Sequence, residues 1–450
     1  MQELVKVKKI LIMSYKSFVY DIVEDFKPVE DIKSQCVVHF RPGKGYNGGY
    51  GFDWFRVGDS EIEGDFHFKD IIGRYYNVST KATVERNYNQ KNKDGKEETV
   101  TVAFERNSKL DQPKMYVRKK NSFYKFGIPW KKNVFDKETA NYTYYAPRMT
   151  LMEGDNAVLS LITEINPKKG KPQKIELKFE KDDAKSYLSI DKETIPSQDG
   201  NTTLKITCNK EFDKTQVLNV LADGMVCGRL KIAPNAKKYQ RNIKVLFVNV
   251  KTNISKEQKQ TGTPAPGSKE LFLRTLKQAF VTVPEGVQEV TLDCTGWFKH
   301  SFKFRWKFCK KVKEKYVIDV DKAVKMRTYM TDLLKDQYGD KYDGYYQVFF
   351  FGEGGHSAKS GGLLNGYAIL DSFYGVYFSG HKAATVGHEM FHALGLKHTF
   401  DYTDTSRSDF AYKIAKTDNM LDYSHIVGIE RKSLFYWQWR KLNSNFPNVK

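Results

Sequence analysis

The sequence predicts a multidomain α+β protein: a β-rich N-terminal region (1–140), an all-β region of short strands (141–235) and a mixed α/β region (240–450). Three observations predict it. At 450 residues the chain exceeds what one hydrophobic core normally serves. Its 40% hydrophobic and 14% aromatic content is enough to bury several cores and speaks against wholesale disorder. The pattern is strand-like up to about residue 235 and then changes to strand, helix, helix, strand.

The first region is rich in Gly, Tyr and Phe, with strand-like runs at Cys36–Phe40 and Thr99–Glu105. Its Gly-rich stretch Arg41–Trp54 lacks the Gly-Lys-Ser/Thr ending of a phosphate-binding loop and reads as turns. In the second region, Ala157–Ile162, Ile175–Phe179, Thr203–Cys208, Gln216–Ala222 and Gly228–Ile232 are separated by the turn-like segments NPKKGKP, SQDGN and ADG. The pattern resembles an immunoglobulin-like β-sandwich of the kind found beside bacterial extracellular enzymes.

The third region opens with the apolar strand Ile243–Val250. The polar stretches 235–242 and Lys251–Gly267 read as exposed connections. Ser268 is placed to cap a helix in which Leu271, Phe272, Leu276 and Phe280 recur at helical spacing. Val320–Tyr338 is a second helix and Tyr346–Phe351 a buried strand. In Trp297–Lys311, aromatic and basic residues alternate. Such alternation occurs in single-strand nucleic-acid binders, but it is also what a half-buried strand with a basic outer face requires, and that reading is adopted.

A net charge of +20 would draw the protein toward anionic partners. The lysines are spread along the whole chain, however, so a solvated surface is expected and no nucleic-acid partner. The five cysteines show no metal-ligand spacing and no disulfide framework; Cys208 and Cys227 either pair or remain free thiols. Near the N-terminus the apolar run Ile10–Met13 is too short for a signal-peptide core, and no segment is long enough to span a membrane. A soluble protein is expected, one that stays in the cytoplasm, leaves by a route without a cleaved signal, or has been trimmed.

From Ala383 the sequence reads AATVGHEMFHALGLKHTF. His388 and His392 are four apart in a helix-compatible stretch, so both imidazoles project from one face. That spacing can hold one zinc ion, with Glu389 beside the metal as acid/base. Gly395 lets the chain turn sharply out of the helix and bring His398 back as a third ligand. Three protein ligands leave a coordination position open, the mark of a catalytic rather than a structural site.

HEMFHALGLKH matches the metzincin signature HExxHxxGxxH at His388, Glu389, His392, Gly395 and His398, and in this the chain resembles the metzincin-clan zinc metallopeptidases. The resemblance covers roughly the last 210 residues. It implies a methionine-containing turn beneath the zinc, and Thr417–Ser424 (TDNMLDYS) lies at the expected distance. There Met420 precedes Tyr423 by three positions rather than two, so either Met420 or Leu421 forms the floor. The resemblance also implies an oxyanion-stabilising role for Tyr423, a cleft-lining edge strand at Gly366–Leu370 and a C-terminal helix at Arg431–Asn443.

The function so implied is a zinc endopeptidase that hydrolyses peptide bonds of protein substrates through a zinc-activated water, with Glu389 relaying the proton. Two alternatives stand beside it: an effector or toxin peptidase delivered by a secretion apparatus, and an inactive metallopeptidase-like binding protein. Phe55–Asp59 (FRVGD) is similar to the aspartate-bearing latency segment of astacin-like propeptides, with Asp65 as a second candidate carboxylate. Both Gly-Asp pairs read more simply as turns between strands.

Overall fold

The computed structural model describes residues 30–73, 85–91, 97–103, 112–132, 141–254, 260–295, 301–312, 315–358, 362–400 and 409–446. It is a strand-rich α+β structure with several separate sheets. The N-terminal segment and the start of Trp297–Lys311 (297–300) lie outside the described residues.

Two sheets share the core of the first half. One runs in the order Thr194–Ile195, Ile175–Phe179, Gln216–Ala222, Met225–Ile232, Arg148–Thr150, Gly51–Asp53. The other runs Leu188–Ile190, Gly200–Cys208, Asn156–Ile165, Cys36–Pro42. Along Asn156–Ile165, Ala157, Leu159 and Leu161 point inward while their neighbours are more exposed, the period-two pattern of a strand with one buried face. Cys36–Pro42 pairs antiparallel with Asn156–Ile165, and Gly51–Asp53 with Arg148–Thr150. Strands on both sides of the boundary expected at 140 therefore belong to one pair of sheets. Such pairing is non-local and leaves no mark in local composition. All five cysteines are free thiols; Cys208 and Cys227 each contact a backbone carbonyl instead of one another.

The second half is built on a sheet in the order Gln260–Thr261, Val245–Thr252, Tyr346–Phe350, Tyr374–Tyr377, Gly366–Ala368, with Gln288–Asp293 also paired parallel to Val245–Thr252. The central pairings are parallel, and Gly366–Ala368 closes the edge antiparallel. Val245, Phe247, Tyr346, Val348 and Phe350 face a core shared with helices Ser268–Lys277, Ala383–Ala393 and Tyr436–Ser444. Leu246, Val248, Val250 and Phe349 face another, covered by Ser301–Phe308 and Ala323–Tyr338. Burial on both faces is why these strands read as unbroken apolar runs.

Three local expectations are corrected. Ser301–Phe308 is helical, not a strand: Phe304 and Phe308, four apart, are buried together while Trp306 is exposed. Spacing of four satisfies a helix as well as an alternating strand, and packing chose the helix. Gly267, in the left-handed conformation, is the N-cap of the next helix; Ser268 is its first residue and donates to the Ala265 carbonyl at 2.6 Å. Residues 235–242 are not an exposed connection. Asn235, Tyr239, Gln240 and Arg241 are buried, and Arg241 Nε donates to the Asn443 carbonyl at 3.0 Å.

The two halves meet through an aromatic core. Phe55, Phe68, Ile71, Ile72 and Phe123 pack with Phe410, Tyr412, Phe435 and Trp437. Beside them, the buried Arg56 pairs with the buried Asp418 at 2.6 Å. No helix among the described residues is long and apolar enough to cross a membrane.

Candidate metal centre

The helix Ala383–Ala393 is fixed to the sheet by its backbone as well as its apolar face. Tyr346 Oη donates to the Met390 carbonyl at 3.0 Å and Tyr377 Oη to that of Val386 at 2.8 Å. The helix then ends in a Schellman turn: the Gly395 N–H donates to the His392 carbonyl (2.8 Å) and the Leu396 N–H to that of Phe391 (2.9 Å). Gly395 has φ +91°, and a Cβ there would stand 2.6 Å from Asn445 Nδ2 and 2.9 Å from Asp371 Oδ1. Both the backbone conformation and the crowding call for glycine.

This turn returns His398 to the helix face. The Nε2 atoms of His388, His392 and His398 lie 3.1, 2.9 and 3.1 Å apart around the triangle. His388 Nδ1 is 2.8 Å from the Met420 carbonyl oxygen and His392 Nδ1 2.7 Å from that of Leu396. A carbonyl only accepts, so each of these Nδ1 atoms carries a proton and each Nε2 presents a lone pair. Burial above all, and then the neighbouring imidazoles, hold His388 and His392 well below the usual histidine pKa, which keeps them neutral.

Lone pairs converging at this distance repel unless a cation lies among them. A tetrahedral zinc with Zn–N bonds of 2.0–2.1 Å sets its ligand nitrogens about 3.3 Å apart, within a few tenths of an ångström of the triangle seen here. The donor set therefore fits zinc. Among the described residues, this is the group of His, Cys, Asp and Glu side chains that converges closely enough to hold an ion.

Glu389 packs against the edge strand. Its carboxylate accepts from the Ala368 backbone, and its Cγ would be 3.0 Å from a Cβ on Gly366. Burial pushes its pKa up to about 7, partly offset by His398 and Arg431. The Tyr423 ring centroid stands 4.9 Å from that of His398 and 5.5 Å from that of His388. Met420 lies beneath the helix, its Sδ 3.2 Å from where a Cβ on Gly387 would be, while Leu421 is buried in the same core. The floor under the histidines is thus Met420.

No known protein family, curated protein or solved structure matches the chain.

Other histidines of the second half, and the carboxylates of the two Gly-Asp pairs, lie apart from the triad. His381 accepts from the Ala265 N–H at 3.0 Å and ties a loop. His356 sits in the short strand Gly355–Ser357, and His425 is exposed. Asp59 is held by both ends of the Arg41 guanidinium, and Asp65 accepts from the Ser60 N–H at 2.9 Å. Gly58 and Gly64 both have positive φ, so the two Gly-Asp pairs are turns.

Three features of the site had no signal in the sequence. Arg431 brings Nη1 to 3.0 Å from His388 Nδ1. Because that nitrogen already carries a proton, the approach is a charge contact, and Arg431 donates instead to the Asp422 carbonyl at 3.3 Å. The buried Asp422 carboxylate gathers the N–H groups of Ala415, Thr417 and Tyr423 and the Thr417 hydroxyl, which shapes the turn. Asn419 and Gln438 exchange two side-chain hydrogen bonds that pin the turn to the C-terminal helix. Each pairs residues far apart in type or position, with no periodicity to betray it.

Proposed function

We propose that this chain is a zinc-dependent endopeptidase of the metzincin type. In this reading the catalytic domain spans residues 240–450. It is preceded by an immunoglobulin-like β-sandwich built on 141–235, completed by strands from the β-rich N-terminal domain. One observation carries the proposal: three imidazole Nε2 atoms converge within 3.1 Å, with Glu389 between them and the edge strand of the sheet.

His388, His392 and His398 would hold the metal, with the first two fixed in the correct tautomer by the Met420 and Leu396 carbonyls. Bound zinc supplies Lewis acidity to a water molecule and to the scissile carbonyl. Glu389, with a pKa near 7, is suited to take the proton of the attacking water and pass it to the departing amine. Tyr423, whose ring lies 4.9 Å from that of His398, would donate its phenol to the developing oxyanion. Among the described residues the strand Gly366–Ala368 has one unpaired edge, suited to antiparallel pairing with an extended peptide.

The test is metal content together with cleavage of a peptide library. Wild type should carry about one zinc per chain. His392→Ala should lose most of it, and Glu389→Gln should keep it while losing cleavage. Equal zinc in wild type and His392→Ala would overturn the assignment.

A further inference from the structure

Where the helix Gln112–Asn121 approaches the C-terminal helix Tyr436–Ser444, the surface opens into a pocket of about 460 Å³. That is within the usual range for a small-molecule site. None of the metal-centre residues lines it. Its cations are Arg118, Lys119, Arg148, Lys231 and Arg440, against the carboxylates of Asp53 and Asp409. Lys231 has a further partner of its own, and without it the excess among the described residues is two positive charges.

Arg148 is the decisive residue. It is only 8% exposed, yet among the described residues it makes no salt bridge and no side-chain hydrogen bond. Its guanidinium lies over the rings of Tyr436 at 4.5 Å and Phe123 at 5.5 Å, both of which line the pocket. Lys119, by contrast, already faces Asp53 at 3.6 Å. Asp53, across the strand pair from Arg148, attracts it without touching it and is already engaged by Lys119; a buried cation with no anion in contact is costly. Further groups on the same wall lack partners: Trp437 Nε1, Arg440 Nε and the Tyr436 hydroxyl are buried with no hydrogen bond, as is Asp53 Oδ1. The first two can only donate, so the unmet demand is chiefly for acceptors.

We propose that this pocket binds a small aromatic phosphomonoester, its phosphate held by Arg148 and Arg440 and its ring packed against Phe123, Tyr436 and Trp437. A phosphomonoester carries a charge of roughly −1.5 to −2 at neutral pH, closer to the excess of the lining than a single carboxylate. Its oxygens also suit the planar fork of a guanidinium. The aromatic walls supply the apolar faces against which a flat ring stacks.

Isothermal titration of the full-length protein tests this, with phenyl phosphate, inorganic phosphate and benzoate as probes. Phenyl phosphate should bind saturably and more tightly than either of the others. Arg148→Met should weaken it by about tenfold or more, the usual scale for losing charge-assisted hydrogen bonds. The same substitution should leave the melting temperature unchanged or raised, because it removes an uncompensated buried charge. If Arg148→Met does not fold, Arg440→Gln takes its place and should weaken phenyl phosphate severalfold. The assignment is wrong if phenyl phosphate fails to bind at millimolar concentration, binds no better than inorganic phosphate, or binds the folded variant as tightly as wild type.

Discussion

Replacing Arg56 by Met should unsettle the proposed metal centre from a region that touches none of the three histidines. Arg56 and Asp418 are 1% and 0% exposed, with Nη2 2.6 Å from Oδ1. Arg56 also donates to the Gly64 carbonyl at 3.1 Å and lies 4.0 Å above the Trp54 ring. Asp418 stands two residues before Met420, whose carbonyl holds His388, and its own carbonyl receives the N–H groups of Lys432 and Ser433. Removing one partner of a buried pair strands the other charge and typically costs about 3–5 kcal/mol. Met keeps much of the side-chain volume, so the loss should be mainly electrostatic. Arg56→Met with Asp418→Asn should recover part of it, since no charge is then left unpaired. Urea unfolding followed by tryptophan fluorescence measures the stability, and competition with a chelator measures zinc affinity. Both should fall in the single variant and recover together in the double. A cost within about 1 kcal/mol of wild type, as for an exposed pair, would refute the reasoning.

Three further outcomes are expected. Burial raises the Glu389 pKa to about 7 from an ordinary value of 4.5, so its contribution to metal-free stability is present below about pH 4.5 and lost as pH rises through 7. Thermal melts of chelated Glu389→Gln should therefore gain on wild type between pH 5 and pH 8, by about 2 kcal/mol after allowance for partial exposure, and a constant difference would contradict this. Gly395→Ala should cost about 1–3 kcal/mol and reduce zinc content, because φ +91° and the contact with Asn445 both oppose a Cβ; unchanged zinc would show that the turn does not position His398. A fragment beginning at Lys238 should be insoluble or bind the dye ANS, since it would uncover Phe410, Tyr412, Phe435 and Trp437; a monomeric, zinc-binding fragment would show that this aromatic core is dispensable.

Much of the second half could be read from local pattern. Period and apolar run length marked Ser268–Lys277, Ala323–Tyr338 and Tyr346–Phe350 to within a few residues, because burial of a face is written into spacing. Ser301–Phe308 misleads because its aromatics, two apart throughout, are also four apart. The share of residues 36–53 in the two sheets of the first half is hidden for a different reason. Strand pairing over more than a hundred residues is set by cross-strand packing, not by local composition.

At the candidate metal centre, the sequence by itself singled out the histidine triad, the acid/base candidate and the glycine turn. Those features depend on helical geometry and on the φ range open to glycine, both of which act within eleven residues. Only the tertiary structure decided that Met420, not Leu421, lies beneath the helix. It alone placed Arg431 and Asp422 around His388, fastened Asp418 to Arg56, and left Arg148 without an anion in contact among the described residues. A buried charge is tolerated or not according to what other segments bring to it, and no spacing along one segment contains that information.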